Sequence, residues 1–142
     1  MLAHMQALSA SLEPLGYPVH HIYAPSDALS SLPYLILESG AWGEAIDLPV
    51  CGASDSLHDR LRVKAVAANP DAVMTVLGRV RSLWSPSRTW TTIPMSGRLA
   101  QIQFTRSEAV YVDRDVTLPG TNRHPALGVD SYTLDSQPGG AP

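Results

Sequence analysis

The sequence has little cysteine and no long apolar run. Cys51 is the single cysteine in 142 residues, which excludes an internal disulfide framework and a cysteine metal site and fits a reducing cytoplasm. No segment approaches the roughly 20 consecutive apolar residues of a membrane span, and the N-terminus lacks the basic and apolar regions of a signal peptide. We therefore expect a soluble protein that is made in the cytoplasm and has no membrane partner.

Positive charge and the common catalytic motifs are also scarce. The formal net charge is −3, whereas nucleic-acid-binding domains are usually far more basic, so tight binding of DNA or RNA is not expected. The phosphate-binding patterns G-x-x-x-x-G-K-[ST] and G-x-G-x-x-G do not occur, nor does the serine-hydrolase pattern G-x-S-x-G. Cys51 has no cationic neighbour in the sequence that would favour a nucleophilic thiolate. The sequence therefore predicts neither an enzyme nor a cofactor.

Two histidines keep a small-molecule site as an alternative. His58 follows Asp55 by three residues, and His124 lies in the same polar segment as Asp113 and Asp115. A histidine within hydrogen-bond reach of a carboxylate can act as an acid or base or help to hold a metal ion. Single pairs of this kind are also common without any function, so we expect no metal site and no catalytic residue.

The segment from His58 to Trp84 predicts a strand followed by an amphipathic helix. Apolar and basic residues alternate from Arg60 to Val66, which predicts one buried and one wet face. The buried face holds Leu61, Val63 and Ala65, and the wet face holds Arg60, Arg62 and Lys64. Asn69 is a suitable N-cap for the helix, and Pro70 fits its first position. The helix periodicity buries Val73, Val76, Leu77, Val80 and Trp84, and leaves a polar arc of Asp71, Thr75, Arg79, Arg81, Ser82 and Ser85 for water or a partner.

The remaining segments predict a mostly antiparallel sheet. The nearly continuous apolar strand Leu32–Glu38 is expected at the centre of this sheet, covered on both faces. The other expected elements are a first helix ended by Pro14 and Gly16 and the strands Val19–Tyr23, Glu44–Val50, Thr89–Ile93, Arg98–Tyr111 and Val129–Leu134. We therefore predict an α+β fold in which residues 1–134 form a single domain, a mostly antiparallel sheet packed by two helices. The polar segment Asp113–Gly128 is expected to be a long loop, and residues 135–142 a flexible Gly/Pro tail.

Ten residues are candidates for contacts between subunits. Trp42 lies between Gly40 and Gly43 in a predicted turn, where it is either an interface anchor or part of ordinary loop packing. Charged residues of the basic strand, the polar helix arc and the long loop can form salt bridges across a subunit boundary. With Trp42, the candidates are Arg60, Arg62, Lys64, Arg79, Asp113, Arg114, Asp115, Arg123 and His124.

The order of these segments resembles the tail terminator (tail completion) proteins of long-tailed bacteriophages. In that family a Leu-Pro-Tyr strand precedes a strand of alternating basic and apolar residues, and a helix begins a few residues later. Here Leu32-Pro33-Tyr34-Leu35-Ile36-Leu37 precedes Arg60-Leu61-Arg62-Val63-Lys64-Ala65-Val66, and the helix ends in Val80-Arg81-Ser82-Leu83. The resemblance covers Met1 to Trp84 in pattern, whereas the Asp113–Gly128 loop and the C-terminal tail match no motif of the family.

The resemblance implies an α+β virion protein of the siphophage neck. Copies would form a ring, a hexamer by the symmetry of the family's tail tubes, on the last ring of the tail tube protein. The ring would stop tube polymerisation and present a surface to the head completion or connector protein, while the genome DNA passes through its lumen without sequence-specific binding. A head-to-tail connector or stopper protein of the same neck is one alternative. A small enzyme or ligand-binding α+β domain is another, and a polar pocket in which His58 or His124 meets a carboxylate would favour it.

Overall fold

The computed structural model describes residues 2–39 and 56–139. Within these residues the chain forms two α-helices and seven β-strands. In chain order they are α1 (Leu2–Leu12), β1 (Val19–His21), β2 (Tyr34–Ser39), β3 (Leu57–Ala67), α2 (Pro70–Trp84), β4 (Thr91–Ile93), β5 (Arg98–Ser107), β6 (Tyr111–Val112) and β7 (Ala126–Pro138). Short 3₁₀ turns cover Glu13–Leu15, Ser26–Ser30 and Pro86–Arg88. Neither described α-helix is long and apolar enough to cross a bilayer.

The strands form one sheet in the order β1-β2-β3-β7-β5-β4, and β6 pairs with the start of β7. Strands β1 and β2 run parallel, and the other pairs are antiparallel. The central pair is β3 with β7, in a register that runs from Leu57 opposite Ser136 to Ala67 opposite Ala126. The architecture confirms the predicted α+β class, a single domain with two helices on a mostly antiparallel sheet.

Both helices pack on the same face of the sheet. Met5, Leu8 and Leu12 of α1 belong to the same buried cluster as the apolar stripe of α2. Trp84 Nε1 at the end of α2 donates a hydrogen bond to Ser11 Oγ in α1, at 2.8 Å. The two helices therefore lie side by side over one continuous core.

The predicted buried faces of β3 and α2 are confirmed. Leu61, Val63 and Ala65 are fully buried beneath the helices, whereas the basic residues alternate onto the opposite sheet face. Asn69 caps α2, because its side-chain oxygen accepts a hydrogen bond from the backbone nitrogen of Ala72 at 2.9 Å. The buried residues of α2 are Val73, Val76, Leu77, Val80 and Trp84, as the helix periodicity predicts.

Strand β2 is covered on both faces but is not the central strand of the sheet. Leu35 and Leu37 belong to the main core, and Tyr34 packs with Ala28 and Val66 in a smaller cluster. Alternation puts this smaller cluster on the face opposite the helices, where the 3₁₀ turn at Ser26–Ser30 covers it. The two central strands are β3 and β7. Strand β2 is second from one edge of the sheet, with only the short parallel strand β1 outside it.

Helix α2 runs alongside β7 and approaches it closely at Gly128. A Cβ atom on Gly128 would lie 2.7 Å from Val73 Cγ1 and 2.9 Å from Leu77 Cδ1, so glycine allows the close contact. Farther along β7, the Tyr132 ring packs edge-on against Trp84, with 5.3 Å between ring centroids. The start of β7 therefore lies beneath the first half of α2, and Tyr132 lies beneath its C-terminal end.

Strand β7 is longer than predicted in both directions. It begins at Ala126, so the loop before it spans residues 113–125, and it continues to Pro138 through residues that we placed in the flexible tail. The extension pairs with β5, in which Arg98 lies opposite Pro138. Pro138 is tolerated because it terminates the strand, beyond the last residue that pairs with β3.

Boundaries of other strands also differ from the predictions; β1 ends at His21 and β2 begins at Tyr34. Strand β4 begins at Thr91, because residues 86–88 form a 3₁₀ turn. The predicted strand Arg98–Tyr111 is divided into β5 and β6, and a bulge interrupts β5 between Phe104 and Arg106. Strands β4 and β5 form an antiparallel hairpin. The predicted strand Glu44–Val50 lies outside the described residues.

Candidate interface

The sheet face without helices carries a network of ion pairs around Glu38. Lys64 Nζ lies 2.7 Å from Glu38 Oε1, and Arg62 Nη1 lies 3.6 Å from Glu38 Oε2. Arg62 Nη2 also lies 3.8 Å from Glu108 Oε2, and Arg106 Nη2 lies 3.6 Å from Glu108 Oε1. These side chains are partly exposed, so each pair contributes little stability. Arg62 and Lys64, which we predicted as interface residues, are thus partly neutralised within the subunit.

The other predicted basic residues of β3 and α2 lie on separate surfaces. Arg60 is exposed on the helix-free face, opposite Thr133 of β7. Arg79 is exposed on the outer side of α2, where its Nη1 donates a hydrogen bond to the Tyr17 hydroxyl at 2.5 Å. Trp42 lies outside the described residues. The predicted candidates therefore do not form one continuous patch.

A turn at Asp113 begins the loop between β6 and β7. The backbone nitrogen of Asp113 donates to the Pro125 carbonyl at 2.9 Å, which ties the two ends of the loop together. The backbone nitrogen of Asp115 donates to Asp113 Oδ1 at 3.1 Å. Arg114 and Asp115 are exposed, and neither aspartate forms an ion pair with any residue in the described part of the chain. The turn thus presents two carboxylates and one guanidinium to its surroundings.

The second half of the loop holds His124 away from these carboxylates. The ring Nδ1 of His124 bonds the Val116 carbonyl at 2.6 Å. No hydrogen bond or ion pair between His124 and Asp113 or Asp115 occurs among the described residues, so the pairing that the sequence suggested is not seen. Arg123 is exposed beside it, and its backbone nitrogen donates to Thr121 Oγ1 at 3.1 Å.

A polar cavity contains the other histidine. The ring Nδ1 of His58 is hydrogen-bonded to Asp135 Oδ1 across the β3–β7 pair. Their side chains are 48% and 46% exposed, and they line a cavity of about 460 Å³. The other polar side chains of its wall belong to Ser56, Gln101, Ser136 and Gln137. Asp55, the carboxylate that we paired with His58 in the sequence, lies outside the described residues.

A buried ion pair that the sequence did not predict lies under the end of α2. Asp130 of β7 is 0% exposed, and Arg81 Nε donates to its Oδ2 at 2.6 Å. The other oxygen, Oδ1, has no hydrogen-bond partner among the described residues. Burial, and then the negative charge of Asp130, raise the pKa of the nearby Tyr132 hydroxyl above its usual value of 10.0. Arg81, which we placed on the polar arc, therefore turns toward the protein because the buried carboxylate requires a cation.

A second arginine lies beside this pair. The guanidinium carbons of Arg81 and Arg88 lie 5.2 and 5.3 Å from the centroid of the Phe104 ring, within the range of a cation–π contact. Ser87 and Arg88 both have left-handed backbone conformations, with φ values of 53° and 60°. These conformations are strained for residues other than glycine and persist only where surrounding contacts impose them.

Hydrogen bonds around Ser85 impose that backbone. Ser85 was predicted on the polar arc, yet it is only 3% exposed. Its Oγ donates to the Thr89 carbonyl at 2.8 Å and accepts from the Phe104 nitrogen at 3.0 Å. The backbone nitrogen of Arg88 donates to the Ser85 carbonyl at 3.0 Å, and Gln103 Nε2 donates to the Arg88 carbonyl at 2.8 Å. The turn after α2 is therefore fixed from both sides.

The sequence contained one signal for this cluster. Because side chains alternate along a strand, Asp130 lies on the same buried face as Tyr132 and Leu134. A carboxylate on a buried face requires a cation or a hydrogen-bond donor as its partner. Arg81 lies 49 residues earlier, so only the packing of α2 on β7 identifies it as the partner.

Neither a metal site nor a relative assigns a function to these residues. No group of three or more metal-ligating side chains occurs in residues 2–39 and 56–139. No protein-family model matches the chain, and no curated protein matches it. Function must therefore be argued from the fold, the contacts and the resemblance of the sequence pattern.

Proposed function

We propose that the chain is the tail terminator of a long-tailed bacteriophage. Copies form a ring, six-fold by the symmetry that the resemblance implies, at the head-proximal end of the tail tube. The ring stops tube polymerisation and offers the surface on which the head is joined. Its partners are then the tail tube protein on one side and a head completion or connector protein on the other.

The observation that carries this proposal is the order of the elements. Helix α1, strand β2 after the Leu32-Pro33 motif, the basic strand β3 and the amphipathic helix α2 follow one another along the chain. They build an α+β domain with two helices on a mostly antiparallel sheet, which is the fold that the resemblance implies.

The charged surfaces support a role in assembly. The exposed charged groups of the loop turn at Asp113 can pair with a neighbouring subunit, and each exposed pair of this kind is worth at most about 1 kcal/mol alone. A closed ring repeats every such contact at each subunit boundary, so weak contacts add up to a stable assembly. Because a ring can form on the tube end without being stable in solution, the free protein is expected to be monomeric at low concentration.

The test is a phage in which the gene for this chain is inactivated. We expect headless tails of irregular and excessive length in electron micrographs, and a normal length once the chain is supplied from a plasmid. Filled heads that leak DNA beside tails of normal length would assign the chain to the neck as a connector or stopper protein, our alternative. Normal, infectious particles without the chain would contradict both assignments.

The His58–Asp135 cavity favours a second candidate function, a ligand-binding or catalytic domain. It is a polar pocket in which a histidine meets a carboxylate, the arrangement that can move a proton or orient a ligand. The test is the same plasmid rescue with His58→Gln and Asp135→Asn, with Gln137→Ala at the cavity wall as a control. Under the tail terminator proposal all three variants restore normal tail length. Loss of rescue by the first two variants alone, with unchanged melting temperatures, would favour the second candidate.

A further inference from the structure

Two arginines line the cavity at the end of α2. Arg81, Arg88 and Phe104 line a cavity of about 460 Å³ together with Ser82 and Ser87. The Nε of Arg81 is held by Asp130, which leaves its two terminal amino groups for another acceptor. Both guanidinium groups lie near the Phe104 ring, so both are held at the cavity.

The charge of this cavity is not balanced by the residues that the structure describes. Asp130 supplies one negative charge against two guanidinium groups, and it is bonded to only one of them. Arg88 forms no ion pair with any described residue. The hydrogen bonds at Ser85 and Arg88 fix the backbone that carries this cation, which lowers the entropic cost of ordering the turn on binding.

The complementary group lies on the same chain. The turn at Asp113 and Asp115 is held by its own hydrogen bond and leaves an excess of one negative charge beside Arg114. Carboxylates are good acceptors for the two parallel N–H groups of a guanidinium. The cavity and the turn thus match in sign of charge and in chemistry.

One subunit cannot bring the two groups together. Asp113 is tied to Pro125 at the start of β7, whereas Arg81 contacts Asp130 five residues farther along the strand. Five residues of a strand span about 17 Å, which is too far for a direct ion pair. The turn and the cavity therefore lie toward opposite ends of α2, and only a second copy can join them.

We infer that the Arg81–Arg88 cavity receives the Asp113–Asp115 turn of a second copy of this chain. The contact joins two different surfaces, so it is a head-to-tail contact, and such contacts close into a ring when the rotation between neighbours allows it. The inference rests on the proposed function for the ring, but the contact itself can be tested separately. It also gives the loop candidates Asp113, Arg114 and Asp115 a specific binding surface.

The test is a charge exchange between the two surfaces. Arg88→Glu and Asp115→Arg each place like charges at the boundary, and the double variant restores opposite charges in reversed order. Arg106→Glu is the control, because it makes the same charge change on the helix-free face. Asp130 and Arg81 are left intact so that the fold is not disturbed, and melting temperatures verify this for every variant.

Ring formation is measured by analytical ultracentrifugation at high protein concentration and by micrographs of tail tubes mixed with the chain. We expect each single reversal to weaken assembly about tenfold or more and the double variant to regain it, with the control unchanged. Single variants that assemble like the wild type, a double variant that stays defective, or a wild type that never assembles in either assay would overturn the inference. Capped tubes with the single variants would overturn only the contact. Rings of the wild type that never cap a tube would instead contradict the proposed function.

Discussion

Removing Arg81 should expose the dependence of the fold on one ion pair. The substitution Arg81→Met keeps much of the length and apolar surface of the side chain but removes the cation. Asp130, which is 0% exposed, then loses the donor that lies 2.6 Å from its Oδ2. Its Oδ1 has no hydrogen-bond partner among the described residues. The variant would therefore leave the buried carboxylate without the cation that now compensates its charge.

The expected cost follows from the burial of the pair. Removing one partner of a buried ion pair destabilises a protein by about 3–5 kcal/mol. Arg81 itself is 37% exposed, and water that enters in its place would hydrate part of the carboxylate, so we expect the lower end, about 3 kcal/mol. For a domain of this size, that loss lowers the melting temperature by about 10 °C.

Thermal and urea unfolding, followed by circular dichroism, measure this change. Arg79→Met is the matched control, because Arg79 is exposed two residues earlier on the same helix, and it should cost less than about 1 kcal/mol. Replacing both partners, as in Arg81→Met with Asp130→Val, should recover most of the loss, since Val63 lies opposite Asp130 on β3. The reasoning is refuted if Arg81→Met unfolds like the control, or if the double variant is no more stable than Arg81→Met alone.

Three further predictions concern the core. Leu77→Asp buries an unpaired carboxylate and should unfold the domain, whereas Arg79→Asp should lower the free energy of unfolding by less than about 1 kcal/mol. Similar melting temperatures for the two variants would contradict the position of Leu77 facing the sheet. Gly128→Ala should cost about 1–3 kcal/mol in urea unfolding, because its Cβ would clash with side chains of α2, and an unchanged midpoint would show that α2 can shift. Burial raises the pKa of Tyr132 in the folded state, so above pH 10 the unfolded chain loses this phenol proton while the folded chain keeps it, and the stability that the residue contributes below pH 10 falls by up to about 1.4 kcal/mol per pH unit. Tyr132→Phe should make the fall in stability between pH 10 and 11 shallower, and equal slopes in both proteins would refute this cause.

Local patterns were enough to predict the centre of the fold. The alternation of β3 and the periodicity of α2 each depend on residues that are close in the sequence, and both patterns agree with the buried faces of the structure. The cap at Asn69 is equally local. Strand ends were less predictable, because β7 continues beyond Leu134 through pairing with β3 and β5, and the β5 strand begins 40 residues before Pro138, at Arg98.

The polar clusters could not be predicted in the same way. His58 and Asp135 are 77 residues apart and meet only because of the register between β3 and β7. Arg81 looked like a surface residue by helix phase, since nothing near it in the sequence reveals the buried Asp130. Register and the packing of α2 on the sheet are properties of the whole fold, so contacts that depend on them require the structure.

The most direct measurement of the central claim is a cryo-electron microscopy map of the assembled neck of the phage. We expect a closed ring of copies of this chain, six in number, seated on the last ring of the tail tube at its head-proximal end. A single copy, or copies bound away from the tail tube, would contradict it.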